Sequence, residues 1–210
     1  MFKKVCLLLI LTVFAVQAQA QQIKYAPLTD SQKQTVTAVE KYFNGVRSIK
    51  SDFYQVSQNG AAAEGTFLMK KPNKMRLKYT TQPVEIVADG YYLIFHDKKL
   101  EQVTYLDLDD NPASLIMKDS LSFDKEHLTV ENVEHENGLI SLTVFRQDQP
   151  HAGKITLVFK DKPLTLKQWR VTDAQGVTTL VTLNNTEFNS PVDDASFKFK
   201  DPYRKRPGDM

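Results

Sequence analysis

From Ser51 onward, hydrophobic and polar residues alternate in short runs separated by turn-forming residues, which is the period-two signature of β-strands. Val84, Ile86 and Ala88 alternate with Glu85, Val87 and Asp89. Asp89-Gly90 then supplies a hairpin turn, after which Tyr91, Leu93 and Phe95 alternate with Tyr92, Ile94 and His96. One face of this second strand is wholly apolar and the other only partly polar, so both require cover. The same alternation predicts strands at 51–58, 65–70, 75–79, 84–88, 91–96, 100–106, 128–133, 139–146, 154–159, 165–172, 177–183 and 197–199. Connections such as Asn137-Gly138, Asp161-Lys162-Pro163 and Ala174-Gln175-Gly176 are too short for crossover helices, which makes the pairing antiparallel. A chain of this pattern is mainly β and forms a strongly curved antiparallel sheet.

Two stretches break the alternation. Val36, Val39, Phe43 and Val46 recur at helical spacing, with Asp30 placed to cap the start and Gly45 the end, so a helix with one apolar stripe precedes the strands. Between the sixth and seventh strands, Asn111 can cap and Pro112 can open a short helix carrying Leu115, Ile116 and Met117. An apolar helix in the middle of a strand run is expected to lie across the sheet.

The amino terminus is a unit of its own. Lys3 and Lys4 precede an apolar run from Val5 to Val16, and Ala18-Gln19-Ala20 fits the small-x-small cleavage pattern. Residues 1–20 are therefore expected to be a cleavable secretory signal peptide, too short in its apolar run to span a bilayer, and residues 21–210 a single domain. The only cysteine, Cys6, falls inside that signal. The mature chain then has no disulfide and no thiol to receive a lipid, as expected of an exported protein that is not itself lipid-anchored.

Without Lys3 and Lys4, the 27 basic residues fall to 25, equal to the 25 acidic ones. A neutral chain gives no support for nucleic-acid binding. The Arg204-Lys205-Arg206 cluster has the composition of a solvated tail. His96, His127, His135 and His151 lack metal-site spacing, Asp107, Asp109 and Asp110 form an ordinary acidic loop, and no nucleophile elbow or phosphate loop is present.

Large apolar side chains are abundant in the predicted strands: Phe53, Phe67, Met69, Met75, Leu77, Tyr79, Leu93, Phe95 and Trp169, joined by Leu115, Ile116 and Met117 of the short helix. They exceed the needs of a flat one-sided sheet, and the methionines adapt to irregular shapes. A barrel interior packed solid with side chains accounts for them as well, and the residues alone favour that filled core.

An ordered set of motifs tips the balance. A strand containing Gly65, the Lys70-Lys71-Pro72 turn, Met75-Arg76-Leu77, Gln82-Pro83, Asp89-Gly90 and Leu100-Glu101-Gln102-Val103 together resemble the LolA family of periplasmic lipoprotein carriers, with weaker likeness reaching Phe197-Lys198-Phe199. The resemblance implies a LolA/LolB-like fold: an incomplete, half-open antiparallel β-barrel closed by a helical lid. It implies a periplasmic carrier with no catalytic residue, cofactor or metal. Its partners would be acylated outer-membrane lipoproteins, an inner-membrane ABC-type lipoprotein-releasing complex, and the receptor LolB or the outer membrane itself.

By this resemblance the nine strand residues above become candidates for an acyl-chain cavity, and Leu115, Ile116 and Met117 for the lid. Lys71 stands where the family commonly has an arginine that hydrogen-bonds lid carbonyls, which makes it the candidate latch; lysine keeps the charge without the planar fork of donors. Leu77 stands where an aromatic is usual. An acyl chain of about fifteen methylenes gains roughly 12 kcal/mol on leaving water. Three such chains would exceed the practical ceiling of about 18–21 kcal/mol, so a carrier that releases its cargo should cover the chains incompletely. Two other uses of the fold are a lipid or lipoprotein sensor in envelope regulation, whose relatives usually carry a second domain, and a bifunctional carrier that also inserts lipoproteins. The latter needs an exposed apolar loop, and Asn59–Ala63 is small rather than membrane-inserting.

Overall fold

The computed structural model describes residues 27–109, 111–125 and 127–204. The signal segment and the end of the basic tail lie outside them. Eleven strands form one antiparallel sheet: β1 (Ser48–Ser57), β2 (Ala62–Lys70), β3 (Lys74–Tyr79), β4 (Val84–Asp89), β5 (Tyr92–Asp97), β6 (Gln102–Asp107), β7 (Leu128–Glu136), β8 (Leu139–Arg146), β9 (Gly153–Lys160), β10 (Thr165–Asp173) and β11 (Thr178–Phe188). Their order is β6-β5-β4-β3-β2-β1-β11-β10-β9-β8-β7. Two hairpin meanders thus meet at a central seam between the first and last strands, where Phe53 faces Leu183 and Gln55 faces Val181. The ends, β6 and β7, do not pair with each other. The fold is an incomplete antiparallel β-barrel.

Register explains the single large core. Met69 faces Met75 and Met75 faces Ala88, while Leu77 faces Phe67 on one side and Ile86 on the other. Trp169 lies between Val181 and Leu157, and Leu157 faces Leu142. Because side chains alternate, these rows share the concave face, and nearly all of them are buried.

Helix α1 (Asp30–Gly45) covers one end of that face through Val39 and Phe43. Tyr42 stacks edge-on with Phe43 and Phe159 at 5.5 Å each, and its hydroxyl accepts from the Leu166 N–H at 3.1 Å. The N-cap is Thr29, one residue before the expected Asp30, because Thr29 and Gln32 form a reciprocal capping box. Gly45 is the last helical residue and the cap is Val46, whose N–H bonds the Phe43 carbonyl. Asn44 holds the following cover in place by exchanging two hydrogen bonds with the Leu121 backbone, at 2.7 and 3.0 Å. A 3₁₀ helix, Pro112–Met117, crosses the concave face as its pattern predicts, with Leu115, Ile116 and Met117 buried. The Asn73 N–H donates to the Met117 carbonyl, tying that helix to the β2–β3 turn.

The convex face of β3–β5 also needs cover, and the chain after β11 supplies it. Phe197, Val87 and Ile94 are buried there, and His96 packs against Phe199 and Tyr203 at 5.4 and 5.7 Å. Asp194 pairs with Lys70 and Lys74 at 2.7 and 3.0 Å, and Arg76 donates to the Lys198 carbonyl.

Several expected boundaries change: β1 and β2 each begin three residues earlier, β7 runs three residues further and β11 five further, and three other changes have a local cause. The predicted strand at 197–199 is replaced by a 3₁₀ turn, Asp194–Phe197, because the Asp193 carboxylate caps the Ala195 N–H. Tyr91 leaves the strand, 82% exposed, because the Asp89 carboxylate accepts from the N–H groups of both Tyr91 and Tyr92 and widens the turn. Asp97 does the same for Lys99 and Leu100, which delays β6 to Gln102.

Candidate functional site

The concave face encloses a cavity of about 500 Å³, within the range of roughly 300–1,000 Å³ typical of small-molecule sites. Its walls are mostly apolar. Met75, Leu77 and Tyr79 of β3, Ile86 of β4, Leu93 and Phe95 of β5 and Trp169 of β10 line it, and Ile116 and Met117 of the short helix roof it. The polar lining is the minority: the Tyr79 hydroxyl is already engaged by Gln55 Oε1 at 2.8 Å, and Gln82, Asp97, Asn111, Ser114, Asp173 and Thr179 also contribute. Phe95 is 38% exposed, whereas Trp169 at the back is 3% exposed.

Six of the nine strand candidates line this space and three do not. Phe53, Phe67 and Met69 are packed solid: Phe53 stacks edge-on against Tyr79 at 5.1 Å, and Phe67 supports Trp169 at 5.2 Å. They lie on the same concave face and pack beside the cavity. Among the lid candidates, Ile116 and Met117 face the cavity, while Leu115 turns to the other side of its helix. Val84, Ile86, Val171 and Val181 were missed, although they continue the same concave rows across the hairpins, and so were Leu108 and Val177 just outside the strands.

Lys71 is 8% exposed, and its Nζ donates to the Phe43 carbonyl at 2.6 Å while lying 5.7 Å from the Phe43 ring centre. It fastens α1 to the β2–β3 turn, rather than fastening the short helix. Burial lowers its pKa from 10.5 to about 8, with nearby Arg47 adding to the effect and Asp119 opposing it. Below about pH 8 the charge is buried in full in the native state, at a cost of about 3 kcal/mol by linkage. As pH rises from about 8 towards 10.5, the native state holds fewer protons than the unfolded chain, and stability increases. Tyr42 acts oppositely above pH 10, since burial raises its pKa to about 12. Urea titrations should therefore show a gain in stability between about pH 8 and 10 that Lys71→Met removes. An unchanged pH profile in that variant would show that the lysine is not a buried cation.

Among the described residues no group of three or more histidine, cysteine or acidic side chains could hold a metal ion. No helix there is long and apolar enough to cross a membrane.

The structure is thus a half-open β-barrel with a roofed, mostly apolar cavity. Residues 44–200 match the family model of the outer membrane lipoprotein carrier protein LolA. An outer-membrane lipoprotein carrier protein from Cupriavidus taiwanensis is 32% identical over 208 residues, covering 91% of this chain and 90% of that protein. Its counterpart from Leptothrix cholodnii is 31% identical over 184 residues, covering 82% and 84% respectively. A solved LolA superfamily protein from Nitrosomonas europaea aligns with a TM-score of 0.43 at 10% identity, over 78% of this chain and 97% of that one. The chain belongs to the LolA family.

Proposed function

We propose that this protein is a LolA-type lipoprotein carrier whose concave cavity shields acyl chains of outer-membrane lipoproteins as they cross the periplasm. The observation that carries this reading is the roofed apolar cavity of about 500 Å³ on a sheet whose outer edges are unpaired. Mostly apolar walls favour binding by desolvation. The cavity is modest in volume, in keeping with incomplete coverage and with release.

In this reading residues 21–210 work as one monomeric domain after export. Cargo arrives from an inner-membrane ABC-type lipoprotein-releasing complex and leaves to LolB or to the outer membrane. The carrier itself supplies reversible shielding and no chemistry. Lys71 holds the end of α1 to the β2–β3 turn, the short helix is the movable roof, and the guest competes with Ile116 and Met117 for the same apolar walls.

Tagged protein recovered from a bacterial periplasm should bring with it a co-expressed acylated lipoprotein and not the same lipoprotein lacking its acylated cysteine. Equal recovery of both forms, or of neither, would refute acyl-chain shielding.

A further inference from the structure

A second cavity, of about 220 Å³, lies on the far side of the Pro112–Met117 helix, between it and the ends of β7, β8 and β9. We propose that it is a second acyl-chain subsite, so that a guest with more than one chain straddles this helix. The inference rests on the carrier reading and specifies how a multiply acylated guest would fit.

The division follows from the geometry of a 3₁₀ helix, whose three residues per turn send consecutive side chains in different directions. Leu115 lines the smaller cavity, while Ile116 and Met117 line the larger one. Asn111 and Ser114 line both, which marks where the two spaces meet. The floor of the smaller space is apolar, from Leu115, Val144 and Ile155, all buried, and from Leu128, while nine of its sixteen lining residues are polar or charged, Lys125, His127 and Gln149 among them. An apolar void of about 150 Å³ already accepts a molecule such as benzene, so this one is large enough for several methylenes.

The rim is polar and built. Lys118 pairs with Asp109 at 2.9 Å, Arg146 Nη1 donates to the Asp109 carbonyl at 3.0 Å, and Arg146 pairs with Asp148 at 2.7 Å. These contacts tie the segment entering the short helix to β8 and hold the partition in place. An apolar floor beneath a polar, charged rim suits the end of an apolar chain whose other end stays near water.

Ala152 lines only the smaller cavity and is half-buried, so a larger side chain there fills that space without entering the other. The test is titration of wild type and Ala152→Phe with synthetic lipopeptides bearing one, two or three palmitoyl chains. The expected result is at least about tenfold weaker binding of the two- and three-chain peptides by Ala152→Phe, with one-chain binding unchanged. Equal loss for all three peptides, or no loss for any, overturns the second subsite. If wild type binds no lipopeptide at all, the carrier reading falls and the subsite with it.

A second measurement does not depend on that variant folding. The only cysteine of the chain is Cys6, so Ala152→Cys in the mature protein takes a single environment-sensitive dye. Its emission should shift to the blue with two- and three-chain peptides and not with the one-chain peptide. No shift with any of them, or the same shift with all, overturns the proposal.

Discussion

Phe95→Glu is expected to abolish retention of an acylated cargo while leaving the fold in place. Phe95 lines the large cavity yet is 38% exposed, so an introduced carboxylate can reach water when the cavity is empty. An acyl chain entering the cavity would have to strip that carboxylate of water, and would lose an aromatic wall worth about 2 kcal/mol. Together these should weaken binding by about a hundredfold or more. The same substitution at Leu93, which is 6% exposed, would bury the charge permanently and unfold the sheet locally. Phe95 therefore separates cargo loss from misfolding. Measured by lipopeptide titration beside thermal unfolding, Phe95→Glu should lose binding with a melting temperature within a few degrees of wild type. Undiminished binding would place the acyl chains elsewhere.

The second large effect concerns the wall itself. Gly65→Ala should destabilise the protein by about 3 kcal/mol, a large fraction of the roughly 5–15 kcal/mol that holds a typical domain folded. Gly65 lies in β2 between Phe53 on β1 and Tyr79 on β3. A β-carbon there would come within 2.7 Å of Phe53 Cε1 and collide with the Lys78 carbonyl. The ring cannot retreat freely, because Phe53 is 2% exposed and stacked on Tyr79. Relief requires moving the β3 backbone, which carries Met75, Leu77 and Tyr79 into the cavity. Urea unfolding with an unchanged slope would report this loss directly, and a change below about 1 kcal/mol would mean that the sheet yields at β2.

The strands were legible because a sheet with one buried face writes its alternation into every run, and the chain has many such runs. The short helix was legible for the opposite reason, a Pro-led apolar cluster that fits no strand. The seam was not. Pairing of β1 with β11 joins Ile49 to Phe188, and nothing local in either strand names a partner so distant in sequence. The division of apolar residues between wall and lining was equally hidden. Phe53 and Leu93 obey the same alternation, yet one is packed beside Gly65 and Tyr79 while the other, also buried, lines the cavity. What decides is where α1 and the short helix lie across the sheet, and the strand pattern does not contain that. Lys71 was singled out through the family resemblance, but its acceptor, the Phe43 carbonyl, appears only once the end of α1 is folded against the β2–β3 turn. Phe197 and Phe199 misled because two alternating aromatics suffice for a strand pattern, whereas the Asp193 cap and the convex face determined what they became.

A closed barrel has its girth fixed by strand number and stagger. This sheet has two loose margins, and β6, next to the strand bearing Phe95, is bonded along one side only. Splaying that margin outward enlarges the vessel without breaking a single rung of the β1–β11 spine. In the proposed carrier role, a bulkier guest would be taken in at that one-sided margin, while the seam that joins the two meanders stays paired.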